Sequence, residues 1–117
     1  MQTHSISDEV RYHLLKYLAE HPEATQRELS RELGISLGKV NYCLKALMEK
    51  GLLKARNFSN SNQKTAYAYI LTPKGIEEKV NVTRAFLRRK IDEYDTLVKE
   101  IERLSAEVRE LKQESPV

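Results

Sequence analysis

The chain has 117 residues, a length that allows one globular domain and one further extended element. Hydrophobic residues make up 40% of it and charged residues 32%, a composition that can bury a core and that excludes a disordered or collagen-like chain. The net charge of +3 is too small to indicate a partner by itself. Because no apolar run approaches the roughly 20 residues that cross a bilayer, we expect a soluble, cytoplasmic protein with no membrane partner.

Three short helices are predicted in the first half of the chain. Apolar residues at helical spacing indicate a first helix from about Ser7 to Glu20, which Pro22 ends. Thr25 and Glu28 have the spacing of a capping box, so a second helix begins there.

The second helix ends at Gly34, and Ser36 caps a third helix that ends at Gly51. The apolar face predicted for the third helix consists of Leu37, Val40, Cys43, Leu44, Leu47 and Met48. Two helices joined by so tight a turn form a helix-turn-helix.

A short strand is predicted over Leu52–Arg56, after Gly51. A second strand is predicted over Lys64–Leu71, which is rich in β-forming residues. The connection Asn57–Gln63 contains three Asn and two Ser and is too long for a two-residue turn. The strands are therefore expected to pair as a hairpin with a protruding tip, which is a wing.

A long C-terminal helix is predicted to begin with Thr72 as its N-cap and Pro73 as its first residue. Its heptad positions a are Leu87, Tyr94, Ile101 and Val108, its positions d are Lys90, Leu97, Leu104 and Leu111, and Ile91 and Val98 lie at position e. A helix of about 40 residues is about 60 Å long, which the small core of this chain cannot cover. We therefore expect a homodimer through this helix, with Leu87, Ile91, Tyr94, Leu97, Val98, Ile101, Leu104, Val108 and Leu111 in the interface. The β-branched residues at a and Leu at d favour a parallel pair, and an antiparallel pair stays open.

The predicted fold class is mainly α with a small β-hairpin, a winged helix-turn-helix followed by a C-terminal coiled-coil helix. The winged-helix domain is expected to span residues 1–80 and the dimerisation helix residues 81–117. Within this plan the charge is uneven, because residues 37–64 hold six basic residues and one acidic residue. Such a focused positive segment is typical of a nucleic-acid-binding surface.

The segments 26–36, 47–53 and 71–75 resemble MarR-type transcriptional regulators, and the run Val40–Leu47 is similar to the small members associated with extracellular-polysaccharide genes of bacteria. The resemblance implies a DNA-binding winged helix. Many MarR-type proteins carry an Asp-x-Arg pair in the wing, where this chain has Asn62-Gln63-Lys64. Phenolic effectors of larger relatives bind between the dimerisation and DNA-binding regions, and no effector site is carried over to this chain.

The residues expected to bind double-stranded DNA lie on the second helix, the third helix and the wing. The outward side of the third helix would enter the major groove, the second helix would contact phosphates, and the wing would reach a minor groove. The predicted contacts are Gln26, Arg27, Arg31, Ser36, Gly38, Lys39, Asn41, Tyr42, Lys45, Arg56 and Lys64. For Tyr42 the alternative is packing on the wing, and for Lys39 and Lys45 it is ordinary solvated charge.

Other functions are less well supported by the sequence. No nucleophile and base, Gly-rich phosphate loop or metal cluster occurs at a recognisable spacing, so we expect neither an enzyme nor a cofactor. Cys43 is expected to be a small buried hydrophobe, and His4, His13 and His21 lack the spacing of a zinc site. The alternative function is a winged-helix adaptor that recruits a different coiled-coil protein.

Overall fold

The computed structural model describes residues 7–59 and 65–114. In chain order the elements are α1 (Asp8–Glu20), α2 (Gln26–Leu33), α3 (Leu37–Glu49), β1 (Leu53–Ser59), β2 (Thr65–Leu71) and α4 (Pro73–Glu114). Strands β1 and β2 form a two-stranded antiparallel sheet. The mainly α fold with a small hairpin and a long C-terminal helix is thus confirmed.

The three short helices begin at hydroxyl side chains. The Oγ of Ser7 accepts a hydrogen bond from the Val10 N–H at 3.2 Å, and Thr25 and Ser36 cap α2 and α3 in the same way. Helix α2 ends at Gly34, whose φ of 69° is readily adopted only by a residue without a Cβ. The predicted helix boundaries follow from these local bonds, because each cap supplies a partner for a backbone group that the helix leaves unpaired.

Glu28 was predicted to complete the capping box, and its carboxylate contacts another helix. Its Oε2 accepts a hydrogen bond from the hydroxyl of Tyr17 at 2.7 Å, which joins α2 to α1. This hydrogen bond, with burial and the negative charge of Glu28, raises the pKa of Tyr17 to about 12. The phenol of Tyr17 therefore keeps its proton, and can donate it to Glu28, across the physiological range.

The hairpin is longer than the sequence indicated. Strand β1 continues through Asn57 and Ser59, which pair with Tyr67 and Thr65, so the predicted connection over residues 57–63 is wrong at its beginning. Backbone pairing with β2 supplies hydrogen bonds to these residues and overrides their preference for turns. Residues 60–64, which include Lys64 and the Asn62-Gln63-Lys64 segment, lie outside the described part of the chain.

One aliphatic core holds the first compact unit, which ends at Arg84. All three short helices, the hairpin and α4 contribute to it, and its largest fully buried side chains are Leu14, Leu15, Leu18, Leu29, Val40, Cys43, Leu44 and Leu47. Val82 of α4, which the heptad pattern passes over, is 4% exposed and belongs to this core. Leu37 was wrongly placed on the apolar face of α3. It is 43% exposed, because the first residue of α3 lies beyond the core, beside Arg27 and Arg31.

The start of α4 is fixed to the turn that precedes β1. Thr72 Oγ1 accepts a hydrogen bond from the Gly75 N–H at 3.0 Å and donates one to the Gly51 carbonyl at 2.6 Å. The Thr72 N–H also donates to the Leu52 carbonyl at 3.1 Å. Gly75 is packed so closely on the Leu52 backbone that a Cβ would overlap its carbonyl oxygen. Glycine is therefore required where α4 leaves the hairpin.

The second compact unit begins at Ala85 and consists of the remainder of α4. Eight of its large apolar side chains are each more than half exposed; they are Leu87, Ile91, Tyr94, Leu97, Ile101, Leu104, Val108 and Leu111. Phe86 and Val98 are half-buried. Among the described residues, no helix is long and apolar enough to span a membrane.

Replacing Gly75 with Ala should destabilise the winged-helix unit by about 1–3 kcal/mol, because the new methyl group must displace the Leu52 backbone. The matched control is Gly38→Ala, where an added Cβ meets nothing within 4 Å. The control should leave stability unchanged or raise it by up to about 1 kcal/mol through helix propensity. Denaturant unfolding of both variants measures the difference, and equal stability would contradict the packing described for Gly75.

Candidate nucleic-acid interface

Helix α3 is oriented by its buried side. Val40, Leu44 and Leu47 are all at most 1% exposed, and they face the core formed with α1 and α2. Because side chains three and four residues apart share one face of a helix, this burial fixes which residues point away from the core.

The outward side of α3 is polar and partly basic. Gly38, Lys39 and Lys45 are exposed, Tyr42 is 43% exposed, and Asn41 is half-buried. These are the five α3 residues that the sequence assigned to DNA, and the fold brings them to one side of one helix. An α-helix with such a face has the dimensions and donors to enter a major groove.

Two arginines of α2 lie beside the beginning of α3. Arg27 and Arg31 are exposed and, with Ser30 and Leu37, line a shallow surface cleft at the helix-turn-helix turn. The turn is held by the Ser30 hydroxyl, which donates to the Ile35 carbonyl at 2.5 Å. Ser36 is exposed and caps α3. Two guanidinium groups beside a helix N-terminus form a suitable surface for phosphate.

Gln26, which the sequence assigned to phosphate, is half-buried and engaged in side-chain hydrogen bonds. Its Nε2 donates to the hydroxyl of Tyr69 at 3.2 Å, and its Oε1 accepts from the Nδ2 of Asn41 at 3.5 Å. Sequence reasoning missed Tyr69, which reads as an ordinary β-strand residue and lies 43 residues away from Gln26. Only the antiparallel register and the packing of β2 bring its phenol to α2.

The described part of the wing carries two exposed basic groups. Lys54 and Arg56 are exposed and lie two residues apart on β1, so their side chains leave the same side of the strand. Lys64, the other predicted wing contact, lies outside the described residues.

The exposed charge of α3, the following turn and β1 is predominantly positive. Five basic side chains are exposed there against Glu49; they are Lys39, Lys45, Lys50, Lys54 and Arg56. None of the five forms an ion pair with another residue in the described ranges 7–59 and 65–114. Their charge is therefore available to a polyanion.

The remaining candidates for chemistry lie away from this surface. Cys43 is buried and burial raises the pKa of its thiol, so the expectation of a small buried hydrophobe is confirmed. Across the described residues, no group of three or more His, Cys, Asp or Glu side chains could hold a metal ion. His4 lies outside the described part.

Comparison with known proteins agrees with this geometry. Residues 7–54 match the family described as winged helix-turn-helix DNA-binding. No curated protein matches the chain. A PadR-like transcriptional regulator from Bacillus cereus shares 18% identity, with a TM-score of 0.67 over 75% of this chain and 90% of that chain.

Two further solved structures cover more of this chain. The transcriptional regulator BldR from Sulfolobus solfataricus shares 20% identity, with a TM-score of 0.60 over 92% of this chain and 74% of that chain. The ZitR protein of Lactococcus lactis, solved as a mutant, shares 23% identity, with a TM-score of 0.59 over 97% of this chain and 79% of that chain.

The zinc-dependent MarR-family regulator AdcR is also similar, with 23% identity and a TM-score of 0.53 over 94% of this chain and 79% of that chain. At these identities the likeness establishes the fold alone, which is the winged helix-turn-helix expected from the sequence. The Bacillus cereus protein, BldR and AdcR are transcriptional regulators.

Proposed function

We propose that this chain, a winged helix-turn-helix DNA-binding protein with the MarR-type fold, regulates transcription by binding a specific double-stranded DNA sequence as a homodimer. The observation that carries the proposal is the coincidence of two independent features. The segment that forms the exposed side of α3, the following turn and β1 is also the segment in which five exposed basic side chains face a single acidic one, Glu49.

In the proposed complex α3 enters the major groove. Asn41 would pair with adenine and Lys45 would donate to guanine, while Gly38 allows the beginning of α3 to approach the DNA backbone. On α2, Arg27 and Arg31 would hold phosphates and thereby set the position of α3. Arg56 would extend the contact toward the adjacent minor groove.

Homodimer formation is proposed through the second unit. A single copy of α4 leaves a row of apolar side chains in water from Leu87 to Leu111, and burying them against an identical helix is favourable by about 25 cal/mol for each Å² of apolar surface. The seam is interrupted at Lys90, whose ammonium contacts Glu93 at 3.2 Å and lies 5.1 Å from the centre of the Phe86 ring. A charged residue at one core position favours a single pairing register at some cost in stability.

Genes for extracellular polysaccharide are the proposed targets. The support is the similarity of the run Val40–Leu47 to regulators associated with such genes in bacteria. Selection of bound duplexes from a random library, followed by a search for the selected sequence upstream of extracellular-polysaccharide genes, tests the proposed targets. A selected sequence found only elsewhere would reject the target and leave the DNA-binding proposal intact.

Lys45→Ala combined with Arg56→Ala should weaken binding to the selected duplex, because each protomer of the homodimer loses two cationic contacts to DNA. The slope of log K against log salt concentration should fall by about 0.9 for each of these four groups that neutralises a phosphate. The control is Lys16→Ala with Lys112→Ala, which removes the same charge from exposed positions on α1 and near the end of α4. Affinity and slope measured by fluorescence anisotropy should change only in the first variant. Failure to select any duplex with the unaltered protein would contradict sequence-specific binding.

Leu97→Asp combined with Leu104→Asp should convert the dimer to a monomer, because charge would enter the apolar seam. The monomer should lose most of its affinity for a site with two half-sites about 34 Å apart, since linked binding of two half-sites is lost. Thr96→Asp with Ala106→Asp adds the same charge outside positions a, d and e and should stay dimeric. Sedimentation measures the mass. A dimer that survives the Leu substitutions would place the interface elsewhere, and a monomeric unaltered protein would favour the adaptor function.

A further inference from the structure

The side chains of Tyr69, Gln26 and Asn41 form a hydrogen-bonded chain from the core to the outward side of α3. It begins at a fixed point, because Tyr69 is 7% exposed, its ring belongs to the core and its N–H donates to the Pro22 carbonyl at 2.8 Å. Gln26 then bridges the phenol and Asn41, with distances of 3.2 Å and 3.5 Å. The three residues come from β2, α2 and α3.

In this chain of bonds Gln26 donates from its Nε2 to Tyr69 and presents its Oε1 to Asn41, so the amide nitrogen of Asn41 lies toward α2. An amide nitrogen carries two hydrogens, and the bond to Gln26 uses one of them. The second N–H of Asn41 and its Oδ1 stay available side by side.

An amide that presents one donor and one acceptor side by side matches adenine. Adenine offers the N7 acceptor and the N6 amino donor in the major groove, and an Asn side chain can contact both at once. If the amide were reversed, Oδ1 would be engaged with α2 and the outward edge would carry only donors. Such an edge matches guanine, whose O6 and N7 are both acceptors.

We infer that Gln26 and Tyr69 are positioning residues that determine base specificity, because they hold the Asn41 amide in the orientation that selects adenine over guanine. The inference rests on the proposed function, since it requires that Asn41 faces a base. It gives Gln26 a role different from the phosphate contact expected from the sequence. It also gives a role to Tyr69, a core residue of the hairpin with no place in the direct contacts.

Two substitutions at Gln26 test the inference. One is expected to lower the affinity for DNA and keep the preference for adenine, and the other is expected to raise the affinity and abolish that preference. Gln26→Glu retains two acceptor oxygens, so it can accept from both Tyr69 and Asn41 and keep the amide orientation. Its negative charge should weaken binding to every duplex. Gln26→Lys can only donate, so Asn41 must turn its oxygen inward, while the added positive charge should strengthen binding to every duplex.

The measured quantity is the ratio of affinities for the selected duplex and for the same duplex with A·T changed to G·C at each adenine position. This ratio is measured on one preparation, so a partly unfolded variant does not change it. For the unaltered protein and Gln26→Glu we expect about tenfold preference for adenine at one position of each half-site. For Gln26→Lys we expect that preference to disappear or to reverse toward guanine.

Tyr69→Phe removes only the phenol hydroxyl and should reduce the same preference, with little change in affinity for a random duplex. Tyr67→Phe is the matched control, because Tyr67 lies on the same strand, is 54% exposed and has no hydrogen bond to Gln26 among the described contacts. The control should keep the full preference.

The outcomes separate the inference from the function on which it rests. If no duplex is selected by the unaltered protein, the proposed function fails. If a duplex is selected but Gln26→Lys and Tyr69→Phe keep the preference at every adenine, the inference is overturned and the proposed function stands. Loss of the preference in Gln26→Glu with its retention in Gln26→Lys would also overturn it, because the amide would then have the opposite orientation.

Discussion

The burial of one aliphatic side of α3 is the constraint on which the rest of the structure depends. Val40, Leu44 and Leu47 are removed from water almost completely, and each fully buried aliphatic side chain of this size contributes about 1.5–3 kcal/mol. Rotation of α3 by a third of a turn would expose these side chains and bury lysines. The hydrophobic effect therefore decides that Gly38, Asn41 and Lys45 face outward, and the polar contacts of the outer side refine an orientation already fixed.

The two compact units differ in how they bury apolar side chains. The first unit has enough aliphatic residues to bury its own core, and the hydrogen bonds of Thr72 attach the start of α4 to the hairpin. The second unit is one helix with an apolar row and nothing of its own to cover that row. A repeat of seven residues with apolar a and d positions is the pattern by which identical helices bury such rows together. Pairing would also place two copies of α3 in one particle, as reading two half-sites requires.

Local chemistry explains which parts of the fold were predictable. Ser7, Thr25 and Ser36 start helices through bonds to residues three positions away, so a reader of the sequence sees both partners at once. In the hairpin the hydrogen-bonding partners are far apart in sequence, so the sequence alone does not show them. Pairing with β2 extends β1 through Asn57, although Asn favours turns. Val82 shows the same limit, because its burial depends on how α4 meets the domain and not on the heptad spacing.

The candidate site likewise contains residues that the sequence predicts and a contact that it does not. The outward residues of α3 followed from helical periodicity, whereas the link from Gln26 to Tyr69 joins residues 43 positions apart and has no pattern in the sequence.

The central claim, that the outward side of α3 contacts DNA, is tested most directly by amide NMR of the labelled protein during titration with the selected duplex. The account predicts that the largest shifts occur at Gly38, Lys45 and Arg56, with little change at Lys16 on the outer side of α1. Shifts confined to α1 or α4, with α3 unchanged, would contradict it.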